Sequence, residues 1–369
     1  MKALVTVSRI IVGLLFIFSG LVKANDPLGL SYKMQEFFEV WGMSGLNGFT
    51  LLFSLLMNAF EIIAGVAVLL GWRMRLFSWL LLLLIIFFTF LTGFALFSGK
   101  IKTCGCFGDC IPLTPTQSFW KDIFLLVLII IIFIKREYIQ PLFHRFFNGL
   151  IIFFVVIFCV VGQWYVLTYL PVVDCLPYKK GNNIKELMKT PEGALPDSFA
   201  ITFKYRKDGK DVEFDMNNFP ADFDEEKYQY VDRIQKLVRP ATAQAPIADF
   251  VIRNTQGNDI TDSILDQPNP YVLLFVKDAT TATRSWIENA TAVAKAAAAK
   301  QMPLYIVTAT VGDVQSQLFN VPNVFVLMGD ATVIKTAARV NPTFFIMEGG
   351  VVKAKYASVD VTKILAELQ

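Results

Sequence analysis

Residues 76–113 read LFSWLLLLLIIFFTFLTGFALFSGKIKTCGCFGDCIPL, an apolar run that breaks into a polar turn holding Cys104, Cys106 and Cys110. About 20 apolar residues cross the hydrocarbon core of a bilayer, so Leu76 to Phe97 is predicted to span it and the thiols emerge at its end. Three of the five cysteines in 369 residues therefore crowd into seven positions beside a membrane. A lone Cys is usually a small buried hydrophobe. Three thiols in one loop can pair, exchange or bind metal.

Further apolar runs at Val5 to Val22, Phe49 to Leu70, Phe119 to Ile134 and Leu150 to Leu170 bring the expected spans to five. The first is not read as a signal peptide, because Lys23 and AsnAspPro follow it without a small-residue cleavage site. The formal net charge of +3 says little, but its distribution says more. Lys2 and Arg9, then Arg73 and Arg75, then Lys135, Arg136 and Arg145 mark the N-terminus and alternate connections as cytoplasmic by the positive-inside rule. Lys33, Lys100 and Lys102 on the opposite loops moderate that bias. An odd number of spans sends everything after about Pro171 to the other side, the periplasm if this is a bacterial inner-membrane protein. Cys104, Cys106, Cys110 and Cys175 would then share the compartment where disulfides persist. Cys159, inside the fifth span, reads as a packing residue, and His144, the only histidine, falls on the cytoplasmic side.

Met34, Phe37, Phe38 and Trp41 recur at helical spacing between the first two spans, with Lys33, Glu36 and Glu39 off that stripe. Asp26 to Trp41 is thus an amphipathic helix on the bundle surface, either a cover or a gate. Glu61 lies about 18 Å into the second span at about 1.5 Å per residue, near the midplane, where an acidic group faces a cavity or a partner. Two readings stay open for it. One pairs Glu61 with Arg9; the other makes them a polar site for a quinone headgroup or a proton.

The remainder of the chain is polar enough to be water-soluble. Ser198 to Phe214 alternates around LysAspGlyLys, a hairpin signal, while Tyr228 to Val238 fits a helix or a strand equally. Ala241 to Ala245, flanked by Pro240 and Pro246, is the natural linker. Beyond it, TyrValLeuLeuPheVal, an Ala-rich helix over Ser285 to Ala299, LeuTyrIleValThr, ThrPhePheIleMet and ValValLysAlaLysTyr alternate strand with helix and end in a hairpin around GluGlyGly. That order indicates an α/β domain.

ArgIleIleValGlyLeuLeuPheIlePheSerGlyLeuValLys, AsnAlaPheGluIleIleAlaGlyValAlaValLeuLeuGly and CysGlyCysPheGly together resemble the DoxX/MauE group of membrane proteins over about 135 residues. The resemblance implies a four-helix membrane bundle with a role in quinone-linked oxidation or in handling disulfides of exported proteins. Residues 246–369 resemble the thioredoxin-like superfamily: AsnProThrPhePheIle matches the loop that keeps a cis proline, so Pro342 is the candidate cis residue. At the family's Cys-x-x-Cys positions stand Thr280 and Thr283, whose hydroxyls cannot exchange disulfides, so this domain is expected to be redox-dead and to bind a protein segment or cap the bundle. The expected organisation is a DoxX/MauE-like four-span bundle over 1–147, a fifth helix over 148–170, a connecting region with a hairpin over 171–240, and a thioredoxin-like domain lacking CxxC over 246–369.

Cα atoms about 5.5 to 6 Å apart suit a disulfide; Cys104 and Cys106 meet that only with strain, Cys106 with Cys110 or a partner at Cys175 more easily. A structural disulfide, a redox-active pair and a metal held by four thiolates all remain open, although Cys-x-Cys-x3-Cys lacks the usual metal-binding spacing. No phosphate-binding loop, dinucleotide turn or nucleophilic triad is present, and no basic stripe suits nucleic acid. Two function classes follow. One is a membrane thiol/quinone oxidoreductase or its subunit, acting through Cys104, Cys106, Cys110 and Cys175 with a quinone near Glu61 and Arg9. The other is a non-catalytic scaffold whose domain grips a periplasmic partner beside Thr280, Thr283 and Pro342.

Overall fold

The computed structural model describes residues 2–369 other than 102, 192, 194–197, 208–209, 216–217, 219, 221–222, 225–226, 240–244, 283–284 and 319–320, and of 198–200 and 235–239 the backbone alone. Two units emerge: Met1–Gly181 together with Val251–Gln369, and Asn182–Phe250.

The first unit begins with six helices, α1 (Lys2–Asn25), α2 (Pro27–Val40), α3 (Thr50–Leu70), α4 (Met74–Ser98), α5 (Pro115–Ile134) and α6 (Arg145–Tyr169). All but α2 are long and apolar enough to cross a membrane, α3 with the short helical turn Ser44–Phe49 before it. Large side chains such as Leu56, Phe90 and Trp120 lie exposed on their outer faces, as bilayer contact requires, and the chain is a multi-pass membrane protein. Small residues let α1 and α3 approach closely: a Cβ on Gly13 would come 3.0 Å from the Gly65 carbonyl, and one on Gly20 would come 3.1 Å from that of Asn58. Such packing replaces the hydrophobic drive that lipid does not provide between helices.

The cationic turns gather at one end of the bundle. Arg9 donates to the carbonyl of Leu69 at 2.9 Å, Leu142 N–H reaches Leu70, and Arg75 meets Glu137 at 3.5 Å. Asp26, the Cys104–Cys110 loop and the chain after α6 form the other end. Helix α2 starts where the sequence places it: Asp26 Oδ1 accepts from Gly29 N–H at 3.0 Å as an N-cap.

The second unit holds the short helix α7 (Ile184–Leu187) and an antiparallel sheet ordered β2-β1-β3, from β1 (Ser198–Lys207), β2 (Lys210–Asp215) and β3 (Gln229–Arg239). The ambiguous stretch from Tyr228 is therefore strand, and cross-strand aromatic packing accounts for it: the Tyr205 ring meets those of Phe214 and Tyr230. Lys207 pairs with Lys210 as a hairpin requires, while the Asp208–Gly209 turn and most of the linker lie outside the described residues.

The chain then returns to the first unit with β4 (Ile252–Arg253), α8 (Thr261–Leu265), β5 (Tyr271–Val276), α9 (Trp286–Ala299), β6 (Leu304–Thr308), α10 (Val311–Gln317), β7 (Val324–Gly329), α11 (Ala331–Ala337), β8 (Thr343–Glu348), β9 (Val351–Ala357) and α12 (Val361–Glu367). The sheet order is β4-β7-β6-β5-β8-β9, parallel among β5, β6 and β7 and antiparallel elsewhere. Every residue of β5 is buried, which its unbroken apolar run reflects. Trp286, Val293, Ile306 and Phe344 pack in the same core. The Asn341–Pro342 bond is cis.

Candidate functional site

The cysteine loop turns on glycine: Gly105 and Gly108 hold φ of +68° and +55°, a region costly for other residues. Gly108 N–H closes the turn onto the Gly105 carbonyl at 3.1 Å. Cys110 leaves the turn in a disulfide to Cys175 just beyond α6, whereas Cys104 and Cys106 remain free thiols and Cys159 is free and buried in α6. Among the described residues no group of three or more His, Cys, Asp or Glu is arranged to hold a metal.

Cys104 and Cys106 face a cavity of about 420 Å³ enclosed by α1 to α5 and the loop. Its walls are apolar, with Phe16, Met34, Phe38, Met57, Phe60, Phe88 and Leu125 prominent. Exposed Phe53, Leu56 and Phe87 also line it, so it opens between α3 and α4 on the surface that faces lipid. Helix α2 contributes the apolar stripe seen in the sequence and covers the cavity from the loop side.

Two ion pairs lie in this apolar space. Lys23 Nζ donates to Glu61 Oε1 with both side chains buried, 3% and 1% exposed. Ser19 Oγ sits between Glu61 Oε2 at 2.9 Å and the Cys106 carbonyl at 3.0 Å, so the carboxylate is tied to the thiol loop through one hydroxyl. Lys121 Nζ meets Asp122 Oδ1 at 2.6 Å, and Thr92 donates to Asp122 Oδ2 at 3.1 Å. The Lys121 ammonium lies 5.4 Å from the Phe107 ring centre and Lys23 lies 5.2 Å from that of Phe88.

Burial dominates the thiols' chemistry. It pushes Cys104 up to about 12, with Cys106 adding to the shift. Cys106 is also pushed up by burial, against which Lys121 pulls towards the thiolate. Neither is a spontaneously ionised nucleophile; Cys106 faces the ammonium able to favour its anion.

The pairing of Glu61 with Arg9, one of the two readings left open by the sequence, is not formed. Packing sets Gly13 against Gly65 and Gly20 against Asn58, so Arg9 falls level with Leu69, about 12 Å along α3 from Glu61 at 1.5 Å per residue. Its guanidinium donates to the Val68 and Leu69 carbonyls, the favoured place for a cation at a helix C-terminus. Lys23 is the partner the sequence reading missed, because α1 continues to Asn25 and carries Lys23 inward. Lys121 and Asp122 were also missed; their signal is an adjacent charged pair inside an apolar run.

In the α/β part, Thr280 is exposed and its hydroxyl donates to Asp278 at 2.7 Å; Thr283 lies outside the described residues. Pro342 is buried, and Asn341 Nδ2 donates to the Asp278 carbonyl at 2.7 Å, joining the two loops.

Residues 1–135 match the family of methylamine utilisation protein MauE, and residues 199–240 match a domain of unknown function, DUF8463. Protein TlpB of Flavobacterium psychrophilum is 28% identical over 133 residues, covering 34% of this chain and 35% of TlpB. The chain thus spans about a third of that curated relative's length. No solved structure matches it. The N-terminal part is a MauE-like membrane domain, and the Cys104 and Cys106 thiols and both ion pairs of the cavity lie within the matched residues.

Proposed function

We propose that the chain is a membrane thiol/quinone oxidoreductase, or a subunit of one, in which Cys104 and Cys106 are the reacting dithiol and a quinone is the lipid-borne electron acceptor. One observation carries this reading: the Cys104 and Cys106 thiols share a single apolar, lipid-open cavity with two ion pairs, Lys23–Glu61 buried and Lys121–Asp122 with its carboxylate buried. A ligand that enters from lipid needs an apolar tail, and the Lys23 and Lys121 ammoniums would supply donors for the carbonyl oxygens of a polar head. In the forward step the Cys104 and Cys106 thiols release two protons and two electrons and form one S–S bond. The quinone takes up both electrons and both protons and leaves as quinol. The resulting Cys-x-Cys disulfide is strained and hence oxidising, suited to accepting electrons from two thiols of an exported protein.

Lys121 would stabilise the Cys106 thiolate, and Lys23 with Glu61 would hold a proton beside the acceptor. The Cys110–Cys175 disulfide is read as a staple of the loop. The architecture proposed with this function is a DoxX-like four-helix core over 1–147, a fifth helix over 148–170 and, over 246–369, a thioredoxin-like domain supported by the strand order and the cis proline. The membrane is a bacterial inner membrane, with the N-terminus cytoplasmic and the α/β part periplasmic.

The test uses reduced full-length protein in nanodiscs with decyl-ubiquinone or a short-chain menaquinone. Quinol should form as the Cys104 and Cys106 thiols disappear, and Cys104→Ser or Cys106→Ser should abolish both. Retention of both thiols with no quinol would defeat the reading. A second function, a scaffold that holds a periplasmic partner beside Thr280, Thr283 and Pro342, is favoured by the threonine where a thioredoxin-like domain keeps its nucleophile. It predicts partner capture that survives loss of Cys104 and Cys106.

A further inference from the structure

The α/β part makes its main polar contacts with the cysteine end of the bundle through one side chain. Arg339, between α11 and β8 and 4% exposed, donates from Nε to Asp26 Oδ2 at 2.7 Å and from Nη2 to Asp109 Oδ2 at 2.5 Å. Its guanidinium also lies 5.5 Å from the ring centre of Tyr32 on α2. Asp26 caps α2, the helix that covers the cavity, and Asp109 belongs to the loop that presents Cys104 and Cys106. A second contact supports the same edge: Lys355 on β9 pairs at 2.8 Å with Asp174, the neighbour of disulfide-bonded Cys175.

A planar guanidinium with a fixed fork can hold two carboxylates in a set geometry, which an ammonium cannot do. Burial makes the link costly to break on one side, since an unpaired charge would remain. We infer that Arg339 is a positioning residue for the thiol site: it ties the cysteine loop, through Asp109, to the α2 cover, through Asp26, and so fixes Cys106 against the cavity. The α/β part is in this sense an intramolecular clamp, its cis-proline segment engaged with the chain's own bundle. The inference rests on the thiol site proposed above and adds to it the residue that fixes its geometry.

The test compares full-length wild type, Arg339→Gln, Asp109→Asn and the double variant, using N-ethylmaleimide labelling of Cys106 and decyl-ubiquinone turnover. Both single changes should raise the Cys106 labelling rate about five-fold or more, and the double change should add nothing further, because both remove one link. Turnover should fall in kcat with KM for the quinone unchanged, a split that general loosening of the cavity would not give. Labelling of Arg339→Gln within two-fold of wild type, or effects of the two changes that multiply, would overturn the inference. Asp109→Asn leaves the Arg339 to Asp26 pair intact and decides the question alone if Arg339→Gln does not fold. Absent turnover in wild type would sink the oxidoreductase reading while the labelling result still tests the clamp.

Discussion

Lys23 and Glu61 form an ion pair inside the bundle, one turn from Ser19, whose hydroxyl bridges the Glu61 carboxylate to the backbone of Cys106. The pair reaches the cavity from α1 and α3, while Lys121 and Asp122 reach it from α5. A deep apolar space with two such pairs is an uneconomical way to stabilise helices, because desolvation cancels much of the attraction between buried charges.

Glu61→Gln leaves the Lys23 ammonium buried without its anion, and that loss is expected to destabilise the bundle by about 3 to 5 kcal/mol. The double change Lys23→Met with Glu61→Gln removes the orphan charge and should recover most of this stability, since apolar replacement of a buried pair is often neutral. Quinol formation should stay abolished in the double variant. Thermal melts in detergent beside the turnover assay check both halves; recovered turnover in the double variant would deny the pair a role in the chemistry.

Cys104 and Cys106 should label in protein never exposed to reductant, whereas Cys110 and Cys175 should label only after reduction. With Cys104 pushed up to about 12 by burial, its labelling rate should climb about tenfold per pH unit through pH 10, where an ordinary thiol levels off near its pKa of about 8.5. Peptide mapping of maleimide adducts from pH 7 to 10 reads this directly. A plateau near pH 8.5 would place Cys104 in water rather than in the cavity.

Much of this was legible from local pattern. Five apolar runs gave five spans and the stripe Met34, Phe37, Phe38 and Trp41 gave α2, whereas the cis bond at Pro342 came from the resemblance of AsnProThrPhePheIle to a thioredoxin-like loop. Glu61 was legible as costly and therefore meaningful, but its partner was not, because pairing depends on how α1 and α3 slide past one another and close-packed glycines set that offset. Lys23 read as a flanking charge only while the helix was assumed to stop at Val22. The choice of Cys110 with Cys175 needed the fold, since Cys106 with Cys110 satisfied the same spacing argument. Arg339, 230 positions from Asp109, has no local sequence signal at all. Val324–Gly329, the parallel strand β7 next to the sheet edge, also lacks a clear local signal, its buried positions falling irregularly.

The shared end of Arg9, Arg75 and Arg136 places their connections opposite the cysteine loop, and the proposed orientation puts that loop and the α/β part in the periplasm. A cysteine introduced at exposed Lys363 in a background lacking Cys104 and Cys106 should label with a membrane-impermeant maleimide on intact spheroplasts. A cysteine at exposed Arg75 should label only after lysis. The reverse pattern would place the cysteines in a reducing compartment and remove the case for a stable Cys110–Cys175 disulfide.

Lys277 gives the clamp a pH signature. Its ammonium donates to the Arg339 carbonyl at 2.8 Å and faces Tyr32, Asp26, Arg339 and Lys335. Burial, with Arg339 and Lys335 adding repulsion, pulls it down to about 8 from an ordinary 10.5, only partly opposed by Asp26. Between those values the unfolded chain binds the proton that the folded chain has lost, so this group makes stability rise with pH across that window. The raised Cys104 thiol acts in the opposite sense above about pH 9, so the useful quantity is the difference between wild type and Lys277→Met. The melting temperature of wild type minus that of the variant should grow steadily from pH 8 to pH 10. A flat difference would mean that Lys277 stays protonated at the clamp, and that the contact with Arg339 is made by a cation throughout.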